Sequence, residues 1–180
     1  MKVGANGRVS GLRFVASPNC DERPPRQAVT LLVVHSISLP PGEFGGDSVE
    51  RLFTNRLDPD AHPYFRGLAG LRVSAHFFVR RGGEAIQFVP LHLRAWHAGV
   101  SAWRGRQRSN DYSVGVELEG TDDAPFSRAQ YATLIPLVRA LRDATPLRDI
   151  AGHSDIAPQR KTDPGAGFAW MELLRELARS

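Results

Sequence analysis

The chain has 180 residues, of which 42% are hydrophobic and 23% charged, a composition typical of one soluble globular domain. No run approaches the ~20 apolar residues that a membrane span requires, and no apolar stretch near the N-terminus resembles a signal peptide. The single cysteine, Cys20, excludes an intramolecular disulfide and a thiolate zinc cluster. We therefore expect a cytoplasmic protein without a membrane partner.

The net charge of +4 comes from arginine, and a basic chain often binds nucleic acid. Here, however, the arginines form no patch interleaved with aromatic residues, and no helix-turn-helix or zinc-finger spacing occurs. An anionic small substrate explains the surplus charge equally well. We expect no nucleic-acid partner.

The N-terminal segment differs in composition from the rest of the chain. Residues 1–29 are rich in Gly, Pro and Arg, which predicts an irregular arm with a short strand near residues 12–15. The domain proper is expected to span residues 30–180.

The first half of that domain alternates strand and turn patterns. Residues 30–35, TLLVVH, form the short continuous apolar run of a strand buried on both faces. Asp47 and Glu50 have the spacing of a helix N-terminal capping pattern, so a short helix is expected there. Residues 74–80 and 85–89 flank the turn sequence Arg-Gly-Gly-Glu, which predicts two antiparallel strands.

The second half contains a long loop, a strand and two helices. Residues 90–111 are predicted to be a loop, and residues 112–119, YSVGVELE, a strand with one charged face. A capping box at Ser127 predicts an amphipathic helix, and residues 152–164 predict a loop stiffened by two prolines. A last amphipathic helix is expected near residues 170–177. The element order predicts one α/β domain with a mixed sheet flanked by helices.

Two histidines follow strand-like runs directly, at His35 and His153. If these strands are neighbours in the sheet, both imidazoles emerge at one edge, and Asp163 can complete a metal-binding set of three. Around zinc, such a set would lower the pKa of a bound water toward ~7. The alternative for each histidine alone is a polar residue at a strand end.

Two charged residues are candidates for catalysis. Glu117 is the leading candidate for the group that takes a proton from water and returns it to the leaving nitrogen. The alternative is a carboxylate on the solvated face of an edge strand, as we expect for Glu119. Lys161 would stabilise the oxyanion of a tetrahedral intermediate, and its alternative is a surface lysine.

Other side chains are candidates for substrate binding. Trp96 and Trp103 could stack against a sugar ring or pin the long loop to the core. Arg72 and Arg160 could bind substrate carboxylates through their planar guanidinium groups.

Five segments, taken in their order along the chain, together resemble the zinc-dependent N-acetylmuramoyl-L-alanine amidases. Within that family they resemble the cytoplasmic members that act on 1,6-anhydro-muropeptides. The segments are VVHSISLPPGEFGG, SAHFFVRRGG, WHAGVS, YSVGVELEG and AGHSDIAPQRKTDPG. The resemblance covers the chain from about residue 30 to the end. It implies an amidase type 2, peptidoglycan-recognition-protein-like fold in residues 30–180.

The resemblance also implies roles for individual residues. Zinc would be held by His35, His153 and Asp163, with Glu117 as the catalytic acid and base and Lys161 as the oxyanion stabiliser. The reaction would hydrolyse the amide between 1,6-anhydro-N-acetylmuramic acid and the L-alanine of a stem peptide, in cell-wall recycling. Separately from the resemblance, we expect a monomer.

One position departs from the family pattern, and two other functions stay open. Ser36 stands where the best-known members carry asparagine after the first ligand, a position expected to contact substrate. The first alternative function is an amidase of intact murein, and the second is a non-catalytic peptidoglycan-binding module.

Overall fold

The protein, seen here in a computed structural model that describes residues 1–179, is built on a six-stranded mixed sheet. The strands are β1 (Arg13–Phe14), β2 (Cys20–Glu22), β3 (Leu31–Ile37), β4 (Phe77–Val79), β5 (Ala85–Gln87), β6 (Leu93–Ala95), β7 (Ala102–Trp103), β8 (Arg106–Gln107), β9 (Ser113–Glu119) and β10 (Asp149–Gly152). The main sheet has the order β1-β5-β4-β9-β3-β10, whereas β2 pairs with β6 and β7 with β8 in two small sheets.

Within residues 1–179, four helices and two short 3₁₀ turns accompany the strands. They are α1 (Ser48–Phe53), α2 (Arg128–Ala144), α3 (His153–Ile156) and α4 (Trp170–Ala178), with 3₁₀ turns at Pro63–Leu68 and Ser109–Tyr112. The predicted capping box of α2 is confirmed, because Ser127 and Gln130 exchange hydrogen bonds between side chain and backbone. At α1, the side chain of Asp47 makes no cap and pairs with Arg51 instead.

Strand alternation divides the core between the two faces of the sheet. On one face, Leu32 and Val34 of β3 pack into a core that also contains the apolar sides of α2 and α4. On the other face, Leu31 and Val33 pack with Ala98 and Ile156. His35 continues the alternation on this second face, so the strand that builds the core also delivers a histidine to its carboxyl end.

The predicted elements are largely confirmed. The strand at residues 30–35 is β3, and the predicted hairpin is β4 with β5, which pair antiparallel. Two predictions of irregular structure were wrong. Residues 90–111 contain β6, β7 and β8, and residues 152–164 begin with the helix α3.

The N-terminal segment is tied to the sheet. β1 pairs with β5 and is the edge strand of the main sheet next to β5. β2 pairs with β6 in one of the small sheets. The division of the chain at residue 30 stays a prediction. Within residues 1–179, no helix combines the length and the apolar character needed to cross a bilayer.

Candidate metal centre and active site

The two histidines lie at the carboxyl ends of adjacent parallel strands. His35 is on β3, and His153 follows the last residue of β10 directly. These strands pair in parallel, with Gly152 opposite Val34. The prediction that both imidazoles meet at one edge of the sheet is therefore confirmed.

Asp163 joins them from the loop that follows α3. The Nδ1 atoms of His35 and His153 are 2.9 Å apart, and each lies 3.1 Å from Oδ2 of Asp163. Zinc–ligand bonds of about 2.0–2.2 Å put neighbouring ligand atoms of a tetrahedral site roughly 3–3.5 Å apart. The three donor atoms thus fit a metal ion that has two imidazole ligands and one carboxylate.

Close packing holds the Asp163 loop against the end of β10. The backbone N–H of Ser154 donates to the Asp163 carbonyl at 2.9 Å. A side chain at Gly152 would place its Cβ 2.8 Å from Cδ of Pro164, so glycine lets the loop approach. The backbone N–H of Gly152 donates to Oδ2 of Asp155 at 2.7 Å, which fixes the first turn of α3.

Burial sets the protonation states that a metal site requires. Burial lowers the pKa of His35 to about 4, although its hydrogen bond to Asp163 opposes this shift. Burial alone would disfavour the Asp163 carboxylate, but hydrogen bonds from His153 and His35 outweigh it and hold the pKa of Asp163 below its usual range. At neutral pH the site therefore offers a neutral imidazole at His35 and an ionised carboxylate at Asp163.

Glu117, which belongs to β9, lies beside the three donor atoms. Its Oε2 atom is shielded from solvent and has no hydrogen-bond partner among residues 1–179. Burial raises the pKa of Glu117 well above its ordinary value, the charge of Asp163 adds to this effect, and Lys161 opposes it. Burial thus favours the protonated form of this carboxyl, and a carboxyl group with a perturbed pKa that lines a cavity is a candidate for proton transfer.

The prediction for Glu119, two residues further along β9, was wrong. β9 lies between β3 and β4 and is not an edge strand. Glu119 is buried and accepts hydrogen bonds from the backbone N–H groups of Gly45 and Arg81. Its carboxylate therefore anchors two loops.

A cavity of about 500 Å³ opens over the donor atoms. Its lining includes Glu117, Lys161 and Asp163, which the structure brings together as the sequence predicts. The same lining includes the largely apolar side chains of Leu39, Tyr64, Leu68 and Leu71. The cavity thus offers both polar and apolar contacts beside the reactive groups.

Of the five candidate substrate-binding residues, only Ser36 lines this cavity. Its hydroxyl donates to Oδ1 of Asp122 at 3.0 Å. Arg72 is exposed and lines a different cavity. Trp96 donates from Nε1 to Oδ1 of Asp21, and Arg160 donates to the carbonyls of residues 98 and 100. Trp103 donates from Nε1 to Oδ2 of Asp149 and lines a different cavity. For all five residues, contact with substrate stays a prediction.

Sequence reasoning missed two residues at the site. Asp122 lines the cavity and accepts hydrogen bonds from the hydroxyls of Ser36 and Thr162. His97 is buried, and its Nδ1 lies 2.9 Å from Nε2 of His35. Nothing in the sequence separates Asp122 from its neighbour Asp123. The motif WHAGVS marked the segment of His97, but no local pattern indicated its partner 62 residues away.

The chain matches the family described as N-acetylmuramoyl-L-alanine amidase over residues 25–166. Because the match spans most of its length, the chain belongs to that family, and it is an amidase enzyme. It is 55% identical over 166 residues to 1,6-anhydro-N-acetylmuramyl-L-alanine amidase AmpD of Escherichia coli (strain K12), with 91% of each chain covered.

Solved structures agree with this family. The chain is similar to the crystal structure of a selenomethionine AmpD derivative, with a TM-score of 0.95, 50% identity, and 98% of this chain and 99% of that chain covered. It is also similar to AmiD from E. coli, solved in complex with the substrate anhydro-N-acetylmuramic acid-L-Ala-D-gamma-Glu-L-Lys, with a TM-score of 0.61, 30% identity, and 94% of this chain and 60% of that chain covered. The predicted amidase type 2 fold is confirmed.

Proposed function

We propose that the protein is a zinc-dependent amidase that cleaves the bond between 1,6-anhydro-N-acetylmuramic acid and the L-alanine of a stem peptide. The observation that carries this proposal is the gathering of His35 Nδ1, His153 Nδ1 and Asp163 Oδ2 within 4.8 Å of one another, beside Oε2 of Glu117, which has no hydrogen-bond partner within residues 1–179. Two imidazoles and a carboxylate form a donor set that catalytic zinc sites use.

The residues divide the chemistry between them. His35, His153 and Asp163 would hold the ion, which when bound supplies a Lewis acid that polarises a carbonyl and activates water. Glu117 takes one proton from the attacking water at its carboxylate. It then returns that proton to the leaving nitrogen as the C–N bond breaks, so the products are a carboxylic acid and a free amine. Its raised pKa suits both halves of this transfer.

Lys161 completes the reaction centre. Its side chain lines the same cavity as Glu117 and Asp163. There the ammonium group would donate to the oxygen of the scissile carbonyl, on which negative charge develops. The same positive charge counteracts the rise in the pKa of Glu117.

The substrate class follows from the relatives and suits the cavity. AmpD of E. coli, which is 55% identical, is named for action on 1,6-anhydro-N-acetylmuramyl-L-alanine, and AmiD is described with an anhydro-muropeptide bound. A cavity lined by both polar and apolar side chains suits a ligand that joins a sugar to a peptide. We propose a monomeric cytoplasmic enzyme of cell-wall recycling, whose catalytic domain spans residues 30–180 and whose Ser36 contacts substrate.

The test combines metal content with substrate preference. Purified protein should contain about one zinc per chain, and Asp163→Ala should lose both the zinc and turnover. Hydrolysis of a soluble anhydro-muropeptide should be much faster than release of peptide from whole sacculi. Full turnover in metal-free protein would sink the zinc mechanism, and a faster reaction on sacculi would support an amidase of intact murein instead.

A further inference from the structure

Each candidate metal-binding histidine has a second ring nitrogen that points away from the donor cluster. Nε2 of His35 lies 2.9 Å from Nδ1 of His97. Nε2 of His153 lies 3.2 Å from the carbonyl oxygen of Ala98. The consecutive residues His97 and Ala98 therefore contact the Nε2 atoms of His35 and His153, respectively.

We propose that His97 and Ala98 form a positioning element that fixes the tautomer and the ring orientation of both metal-binding histidines. The inference rests on the proposed function, because it takes His35 and His153 as ligands. Partners that hold the outer nitrogen of a ligand histidine generally keep the ring in place and raise its basicity toward the metal.

The direction of every hydrogen bond in this element follows from one requirement. A neutral imidazole that offers Nδ1 to a metal carries its proton on Nε2. His35 then donates to Nδ1 of His97, so the proton of His97 must lie on its own Nε2. That atom is 3.1 Å from Oγ of Ser113, which can accept it. His153 donates in the same way to the carbonyl of Ala98.

Strand β9 provides the space that this arrangement needs. Ser113, Gly115 and Glu117 alternate along β9 and so face the same side of the sheet. A Cβ at Gly115 would lie 2.5 Å from Cγ of His97. Glycine in the middle of a strand usually weakens it, and here it leaves room for the imidazole that backs His35.

Other side chains hold the backbone of the positioning element. Oδ1 of Asn110 accepts hydrogen bonds from the backbone N–H groups of His97, at 3.2 Å, and Ala98, at 2.8 Å. Nη2 of Arg160 donates to the Ala98 carbonyl at 2.7 Å, so this oxygen is shared between Arg160 and His153. The element is therefore anchored on both sides of the site.

The test measures the zinc dissociation constant by competition with a chromophoric chelator. His97→Phe keeps the ring volume but removes the acceptor for His35, and we expect zinc to bind about 10- to 100-fold more weakly. His97→Asn keeps an acceptor near the position of Nδ1 and should recover most of that loss. Gly115→Ala leaves His97 in the chain but displaces its ring, so it should also weaken zinc binding.

Two matched controls use residues outside the site. His92 is exposed, and a Cβ at Gly82 would meet no atom within 4 Å. His92→Phe and Gly82→Ala should therefore bind zinc as the wild type does. If His97→Phe does not fold, His97→Asn and Gly115→Ala decide the question.

The outcomes separate this inference from the proposed function. A wild-type protein that binds no zinc would overturn both. Wild-type affinity in His97→Phe and Gly115→Ala, alongside a zinc-binding parent, would overturn the positioning role alone. Long-range ¹H–¹⁵N spectra of the zinc-loaded protein give an independent readout, in which His97 should be protonated on Nε2. Protonation of His97 on Nδ1 would contradict the hydrogen-bond direction on which the inference depends.

Discussion

His35 and Glu117 are direct partners across the parallel pair β3 and β9. Partner residues of neighbouring strands point to the same face, so the register itself sets the first candidate ligand beside the proton-transfer carboxyl. A slip of one residue would turn either side chain into the core beneath α2 and α4. The register that builds the sheet therefore also builds the reaction centre.

Replacing Glu117 should separate metal binding from turnover. Glu117→Gln keeps the size of the side chain but removes the proton acceptor, so kcat should fall by roughly 10²- to 10⁴-fold. Zinc content should stay near one per chain, because Glu117 is not among the three gathered donors. Metal analysis and steady-state kinetics on the same preparation check this. Near-normal kcat would remove Glu117 from the mechanism.

The same substitution should stabilise the metal-free protein in a pH-dependent way. Because the pKa of Glu117 is raised by folding, the folded state binds more protons above pH 4.5, the ordinary pKa of this group. The protonated form of Glu117 therefore favours the folded wild type at low pH. As pH rises, the free energy of unfolding of the wild type falls, because the buried carboxyl resists ionisation. We expect Glu117→Gln to unfold at higher urea concentration than wild type at pH 7.5, and the difference to shrink toward pH 4.5.

Glu119 provides the matched control on the same strand. Its buried carboxylate accepts hydrogen bonds from two backbone N–H groups, and neutral glutamine would weaken both. Glu119→Gln should therefore destabilise the protein at pH 7.5, opposite in sign to Glu117→Gln. Destabilisation by both substitutions would contradict the assignment of Glu117 as the unpartnered carboxyl.

Loss of the Lys161 charge should affect both the rate and its pH dependence. Lys161→Met should lower kcat by about 10²- to 10³-fold, as is usual when one oxyanion donor is removed. Since Lys161 lowers the pKa of Glu117, its removal should raise that pKa. The acidic limb of the kcat/KM profile should then move to higher pH. A profile that keeps its position would show that the charge of Lys161 does not act on Glu117.

Acid should destabilise the metal-free protein because His35 is buried in its neutral form. Folding lowers the pKa of His35 from 6.5 to about 4, so between these values the unfolded chain binds a proton that the folded chain does not. The stability contributed by neutral His35 is complete above pH 6.5 and is lost toward pH 4. At about 1.4 kcal/mol for each tenfold change in proton affinity, this contribution is roughly 3 kcal/mol.

Urea unfolding of metal-free His35→Gln and wild type at several pH values isolates this contribution. The wild type should lose stability more steeply between pH 6.5 and pH 4.5 than the variant does. Parallel curves over this range would show that His35 is not held neutral by the fold. Zinc-loaded protein should lose more stability in acid, because protons also compete with the metal for the ligands.

Local patterns predicted the strands and the metal-binding set because these depend on short stretches of chain. The apolar run ending at His35 and the strand before His153 were sufficient to propose that both rings meet at one edge. The contacts of His97 and Asp122 join residues 62 and 86 positions from their partners, and no periodicity encodes such pairs. Glu119 was misjudged because alternation reveals which side chains share a face but not whether that face is covered.

The carboxylate of Asp122 joins the two segments that carry candidate ligands. It accepts hydrogen bonds from Ser36, the neighbour of His35, and from Thr162, the neighbour of Asp163. Asp122→Ala should free the Asp163 loop and weaken zinc binding by about tenfold. This is the lower end of the loss in metal affinity that usually follows removal of a residue supporting a ligand. Asp123→Ala, at the exposed adjacent position, should bind zinc normally, and equal affinities of the two variants in chelator competition would show that Asp122 does not hold the loop.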